Sequence, residues 1–368
     1  MVDLYSAALV STSIALAAIL SIRFRISSAI FEVTAGIILS NFLGVQIESW
    51  LDFLGTFGGL MLTFLAGAEI ETRLMKKNLK PSLVIGTMSF LAPLLGVVFF
   101  LTIFTDWPLI TKVAASLALT TTSVAVVYAV LTEYDLLKLQ IGSVIIAVTF
   151  VNDIMTLIGI NILSPSFNLY TLLFFAIILS MILIIPRMLK YVFIKYGRRS
   201  VEIELRLILA LILGVALIAD VGKLHAVFGV FLLGFLFANS IQKYDEIRSK
   251  MRTITFALLS PAFFIKAGLL ISLPTVANNI ALVLGILAAK LLSKFAGTYL
   301  LCKKWIPEGA AFSTLMFSTG LTVGIITATL GFELGLLDRT QFSIIVISVI
   351  LSAIVPTIIA KKYIPKKI

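Results

Sequence analysis

Histidine and cysteine are almost missing from this chain, which holds one of each, His225 and Cys302. A lone thiol cannot close an internal disulfide, and one imidazole beside it makes no cluster for zinc or haem. No cofactor is expected. Cys302, next to Lys303 at a helix end, reads as a filler, and His225 as a solvated residue opening a helix rather than a proton relay.

Charge is the second scarcity: 13% of residues are charged and 60% hydrophobic, at a mean hydropathy of +1.13. A soluble globule of 368 residues could not cover its surface with so few polar groups. The chain therefore reads as an all-α polytopic membrane protein. Apolar runs of about 20 residues recur along it, as helices crossing a hydrocarbon core of about 30 Å require, and about thirteen are predicted. They cover 4–22, 29–45, 50–70, 81–104, 109–131, 139–163, 169–193, 203–219, 225–238, 253–271, 276–301, 309–330 and 341–359. Asp3 precedes the first run and no basic leader does, so no cleavable signal is expected.

The sparse charges are ordered. Arg23 and Arg25, then Arg73 to Lys80, Arg187 to Arg199, Lys243 to Arg252, Lys303 with Lys304, and the terminal lysines all fall in alternate loops. The intervening loops are neutral or acidic, as with Glu48 and Asp52. Basic loops stay cytoplasmic, which predicts an outside amino terminus and a cytoplasmic carboxyl terminus. The net charge of +11 then faces the anionic lipid bilayer, and no nucleic acid is expected as a partner.

Within the apolar runs a few polar residues stand out. Asn152 and Asp153 lie side by side between Ile145 and Leu163, where a charged side chain costs about 2.5 to 3.5 kcal/mol to insert. An Asn-Asp turn is the structural alternative, but no Gly or Pro flanks the pair closely. Asp153 is thus the leading candidate for an ion or proton pathway. Thr120 to Ser123 interrupt the fifth run, and Ser318, Thr319, Gly320 and Thr322 the twelfth. Such hydroxyls can simply bond back to their own helix. If the seventh run is a linker, however, the fifth and twelfth occupy matching places in two inverted repeats, where discontinuous helices mark a transporter's midplane site. Lys290 and Lys294 share one face of the eleventh run, and Lys266 follows Phe263 and Phe264 in the tenth. Lysines near a boundary snorkel to water, whereas deeper ones can partner the acid. Lys266, about mid-helix, would reach water if the helix broke at Pro261.

Together these residues carry a resemblance. Phe64-Leu65-Ala66-Gly67-Ala68-Glu69-Ile70-Glu71 resembles the third-helix signature of monovalent cation:proton antiporters, and Phe31-Glu32-Val33-Thr34-Ala35-Gly36-Ile37-Ile38-Leu39 their second. Thr122-Ser123-Val124, Val130-Leu131 and Asn152-Asp153 are similar to the broken helix and acidic helix of that family's second branch. Phe263-Phe264 and Lys294 with Gly297 match later helices. The chain is identified as resembling the thirteen-helix bacterial and archaeal sodium/proton exchangers, whose fold has two inverted repeats with broken, crossing helices.

The resemblance implies a function. Asp153 matches the ion-binding aspartate, and Asn152 a position that is Asp in electrogenic members and Asn in many electroneutral ones. Thr122 and Ser123 match ligands of the unwound helix, and Lys294 the lysine that pairs with the first acid where one exists. Where relatives often carry Arg-Gly-Glu, this chain has Thr319-Gly320-Leu321, and Lys266 is outside the pattern. Dimerising scaffold helices are implied for 1–80 and 201–275, a linker for 164–200, and an ion-translocating core for 81–163 and 276–368. A homodimer in the cell membrane, serving pH homeostasis, is expected.

Chemically, ionised Asp153 offers Na+ hard oxygen ligands with Thr149 one turn earlier, Thr122, Ser123 and water. Protonation releases the ion. Desolvation and a nearby ammonium act on a carboxylate in opposite senses, which can set such a site near the working pH. With Asn152 neutral, one proton per cation is the favoured stoichiometry. K+/H+ exchange or K+ efflux on the same fold is the alternative, and Li+ a further possible substrate, since selectivity depends on coordination geometry and hydration. An intramembrane aspartyl protease would need a second aspartate, which Glu32 and Glu69, placed near helix ends, do not supply. No enzymatic activity is expected.

Overall fold

The computed structural model describes residues 4–24, 26–69, 78–134, 136–137, 139–163, 180, 202–221, 226–243 and 245–365. Among these the secondary structure is entirely helical. An apolar chain in hydrocarbon must satisfy its own backbone, and the helix does so within each segment. In chain order come α1 (Leu4–Phe24), α2 (Ser28–Leu43), α3 (Ser49–Ala68), α4 (Leu79–Phe104), α5 (Leu109–Thr120), α6 (Val124–Glu133) and α7 (Gln140–Ile162). Then follow α8 (Ile203–Val221), α9 (Ala226–Lys243), α10 (Asp245–Ile254), α11 (Ser260–Leu269) and α12 (Leu273–Asn278). The last are α13 (Ile280–Trp305), α14 (Ala310–Phe317), α15 (Thr322–Glu333) and α16 (Arg339–Ala360).

The linker expected in 164–200, with its run 169–193, and His225 lie outside the described residues. Every other predicted run falls on a described helix, and among the described residues nine helical spans are long and apolar enough to cross a membrane. Local chemistry sets several ends. Gly44 closes α2 in the left-handed region at φ 64°, its N–H donating to Leu39 O. Asp338 and Gln341 cap the start of α16 reciprocally.

Pro261 and Glu32 both lie near helix starts. The tenth run is not broken at Pro261: a π turn over Thr255–Leu259 joins α10 to α11, so the proline sits at the start of α11, where its missing N–H costs little. Glu32 does lie near an end of α2, one turn after its start. It is buried, and among the described residues its Oε2 has no hydrogen-bond partner.

The chain divides into two compact units. The first comprises the described residues of Met1–Ile47, Thr72–Leu163 and Ile265–Ile368, the second those of Glu48–Glu71 and Ser164–Phe264. Residues 1–47, expected with the scaffold, thus group with the first unit. In the second unit α3 and α9 approach through Gly67 and Gly234: a Cβ on either would strike the other helix's backbone, at Phe231 O and Phe64 O. Small residues let backbones meet in this way where no hydrophobic drive between helices exists. Phe64 and Phe237 pack edge to face beside them, centroids 5.6 Å apart. In the first unit Gly36 of α2 and Gly268 of α11 make a like approach, and α4 packs along both α7 and α13. α4, α7 and α13 therefore hold the polar residues described next.

Candidate functional site

The fifth run is discontinuous. α5 ends at Thr120, Thr121 to Ser123 are non-helical, and α6 restarts with Ser123 as its N-cap, the Oγ accepting from Val126 N–H at 3.3 Å. The run 309–330 breaks likewise between α14 and α15, at Ser318 to Leu321. The two breaks bond to one another. Ser123 N–H donates to Thr319 O at 2.6 Å, and Thr122 Oγ1 donates to Phe317 O at 2.7 Å. Each break leaves carbonyls and N–H groups without helical partners, and the crossing satisfies some of them mutually. Thr319 takes part through its backbone, while its hydroxyl donates to Met316 O at 2.7 Å.

Lys294 answers the carbonyl end of α5. Its Nζ donates to Thr120 O at 2.5 Å, Thr121 O at 3.3 Å and Thr122 Oγ1 at 3.2 Å. A cation is favoured there because the helix dipole is negative at its C-terminus. Both Lys290 and Lys294 are fully buried at 0% exposure, so the snorkelling alternative fails. Both point into the interior, where α13 packs on α14 and α16.

The acid lies on α7. Thr149, Asn152, Asp153 and Thr156 are all buried, and among the described residues neither carboxylate oxygen of Asp153 has a hydrogen-bond partner. Lys294 acts on Asp153 electrostatically. Thr149 Oγ1 donates to Ile145 O at 2.9 Å, which leaves its lone pairs available on the face it shares with Asp153. Asn152 turns elsewhere, its Nδ2 donating to Ser89 Oγ of α4 at 3.2 Å.

The hydroxyls of Thr156 and Thr120, 2.8 Å apart, tie α7 to the end of α5. Thr156 escaped the sequence reading although it stands three residues after Asp153, on the same helical face. Ser89 and the Phe317 carbonyl escaped it too, and no local pattern announces them.

The structure thus joins Thr122, Ser123, Thr319 and Lys294 through hydrogen bonds, and Asp153 to Lys294 through charge. Lys290 bonds instead to Ser352 of α16. Lys266 stands apart from the breaks, with Glu333 at the end of α15 3.4 Å from its Nζ. A buried carboxylate with unengaged oxygens, flanked by hydroxyls and faced by an ammonium, can hold either a proton or a small hard cation.

The chain is similar to known proteins along nearly its whole length. Residues 9–363 match the family described as sodium/hydrogen exchanger, transmembrane. The chain is 26% identical to a probable Na(+)/H(+) antiporter 3 of Methanocaldococcus jannaschii, over 94% of this chain and 92% of that one. It is also 26% identical to a Na(+)/H(+) antiporter of Enterococcus hirae, over 95% and 94%. Its fold is similar to that of the sodium proton antiporter MjNhaP1 of Methanocaldococcus jannaschii, with a TM-score of 0.72 at 16% identity, covering 97% of this chain and 96% of that chain.

Proposed function

The chain belongs to the transmembrane sodium/hydrogen exchanger family, and on that premise we propose that this multi-pass membrane protein exchanges Na+ for H+ by alternating access. The observation that carries the proposal is Asp153, buried on α7 with both oxygens unengaged among the described residues. Loading is a competition. Protonated Asp153 gives up H+ to the solution as Na+ takes its place on the carboxylate, and the reverse occurs on the other side of the membrane. Exchange is obligatory if both loaded states cross and the bare anion does not.

Each residue's part follows from its bonds. Thr149 contributes an oxygen whose hydrogen is already committed to Ile145 O. Thr122 is held by Phe317 O and Lys294, with a lone pair left for the ion, and Ser123 fixes the crossing through its N–H. Lys294 keeps the first break open and stabilises the anionic form of Asp153 through charge. Asn152, neutral and bonded to Ser89, adds no second titrating acid, which favours one proton per cation and electroneutral exchange.

In this reading the helices of 1–80 and 201–275 serve as a dimerising scaffold, 164–200 as a linker, and 81–163 with 276–368 as the ion-carrying core. The amino terminus is outside, the carboxyl terminus cytoplasmic, and the membrane the cell membrane, where exchange supports pH homeostasis. The test is exchange by proteoliposomes under an imposed pH gradient, with Na+, Li+ and K+ in separate arms. Na+-driven proton movement that Asp153→Asn abolishes supports the reading. Proton movement with K+ alone would replace it with K+/H+ exchange.

A further inference from the structure

Lys290 stands one turn before Lys294 on α13 and plays no part in the ion site just described. It is fully buried, and among the described residues its Nζ donates to one group, Ser352 Oγ of α16, at 2.7 Å. That hydroxyl donates to Val349 O at 2.7 Å and lies 3.4 Å from the Gly320 carbonyl in the second break. Gly320 itself is closed in by the same groups. A Cβ there would come 2.6 Å from Lys290 Nζ, 3.0 Å from Thr121 Oγ1 and 3.2 Å from Ser352 Oγ. Only glycine leaves the ammonium its place against the break. Four elements converge on it: α13, α16, the α14–α15 break and, through Thr121, the α5–α6 break.

The two lysines therefore serve one break each. Lys294 binds the carbonyls ending α5 directly, and Lys290 meets the second break at Gly320 with Ser352 as the bridge. Unpaired carbonyl ends are partially negative, and a buried ammonium compensates them. We propose that Lys290 is a positioning residue for exchange, holding the second break against α16 through Ser352 so that the two breaks keep their crossing. This rests on the functional reading above.

Lys290 also bears on the charge of the site. Lys294 lies one turn away on the same face, and the two interact electrostatically. α12 and α14, which pack on α13, carry no titratable side chain, and those of its other neighbours, Lys80 on α4, Arg339 on α16 and Glu308 in the following turn, stand at element ends. Lys294 is therefore the charged group facing Lys290. Neutralising Lys290 removes a positive charge from beside Lys294.

The test compares wild type, Lys290→Gln, Ser352→Ala, Ser352→Thr and Asp153→Asn in proteoliposomes, reading turnover, KM for Na+ and the pH profile. Lys290→Gln should lower turnover about tenfold or more with KM within about twofold, because Lys290 does not touch the ion. Its pH profile should move as well, because a charge beside Lys294 is removed. Ser352→Ala should lower turnover in the same direction and Ser352→Thr should retain it, while the Lys290→Gln/Ser352→Ala pair should be no worse than Lys290→Gln. If wild type exchanges, Asp153→Asn does not, and Lys290→Gln keeps normal turnover and an unmoved profile, the inference alone is overturned. Should Lys290→Gln fail to fold, unchanged turnover in folded Ser352→Ala overturns it equally. A wild type that moves no protons on Na+ addition overturns the functional reading and this inference with it.

Discussion

Replacing Thr122 with valine removes one oxygen and keeps the branched shape of the side chain. In the structure that oxygen donates to Phe317 O at 2.7 Å and accepts from Lys294 Nζ at 3.2 Å. Valine leaves a buried carbonyl in the second break without this donor, at about 1 to 3 kcal/mol, and deprives the ammonium of one of its acceptors, at about 1 kcal/mol more. The total, about 2 to 4 kcal/mol, should lower the thermal midpoint in detergent by roughly 3 to 5 °C. Loss of one neutral oxygen ligand should also raise KM for Na+ about tenfold, since 1.4 kcal/mol is a factor of about ten. Thr122→Ser keeps the hydroxyl and should stay near wild type in both respects. Thermal shift and Na+ titration of exchange check the two effects separately. A valine variant with unchanged midpoint and unchanged KM would refute the idea that Thr122 links the breaks to the ion.

Other outcomes follow from the same contacts. Asn152→Asp loses the amide bond to Ser89 and adds a second buried acid, so exchange should become sensitive to membrane potential; identical rates with and without valinomycin would count against Asn152 as the determinant of stoichiometry. Lys266→Gln or Glu333→Gln should leave turnover within about twofold, as the pair stands apart from the breaks. Loss of exchange in either variant would place the ion path through that pair. Gly67→Val should disrupt the α3–α9 approach in the second unit, read as a lowered thermal midpoint, because its Cβ would strike Phe231 O; an unchanged midpoint would show that the backbones separate at no cost.

Much of this architecture was legible because hydrocarbon imposes simple demands. Apolar length marks the spans, and the Thr120 to Ser123 and Ser318 to Thr322 clusters mark the breaks, since unwound backbone needs local hydroxyls. Asp153 stands out because an acid has no cheap reason to lie in such a run. What a sequence does not display is which distant group a polar atom meets. Lys294 was expected to partner an acid, yet its direct bonds are to two backbone carbonyls and a hydroxyl 172 to 174 residues away. Glu333 lies 67 residues from Lys266, and Glu32 looked peripheral because its burial depends on packing around α2. Pro261 could have broken its run, but a π turn ending two residues earlier lets the helix continue past it.

The central claim is that a proton and a cation compete for Asp153. It is tested most directly by adding Na+ to purified protein in weak buffer and counting protons released, for wild type and Asp153→Asn. Wild type should release about half a proton per Na+ bound near the midpoint of its pH profile, rising toward about one on the acid side, and the asparagine variant none. No release from wild type, or equal release from the variant, would contradict the account.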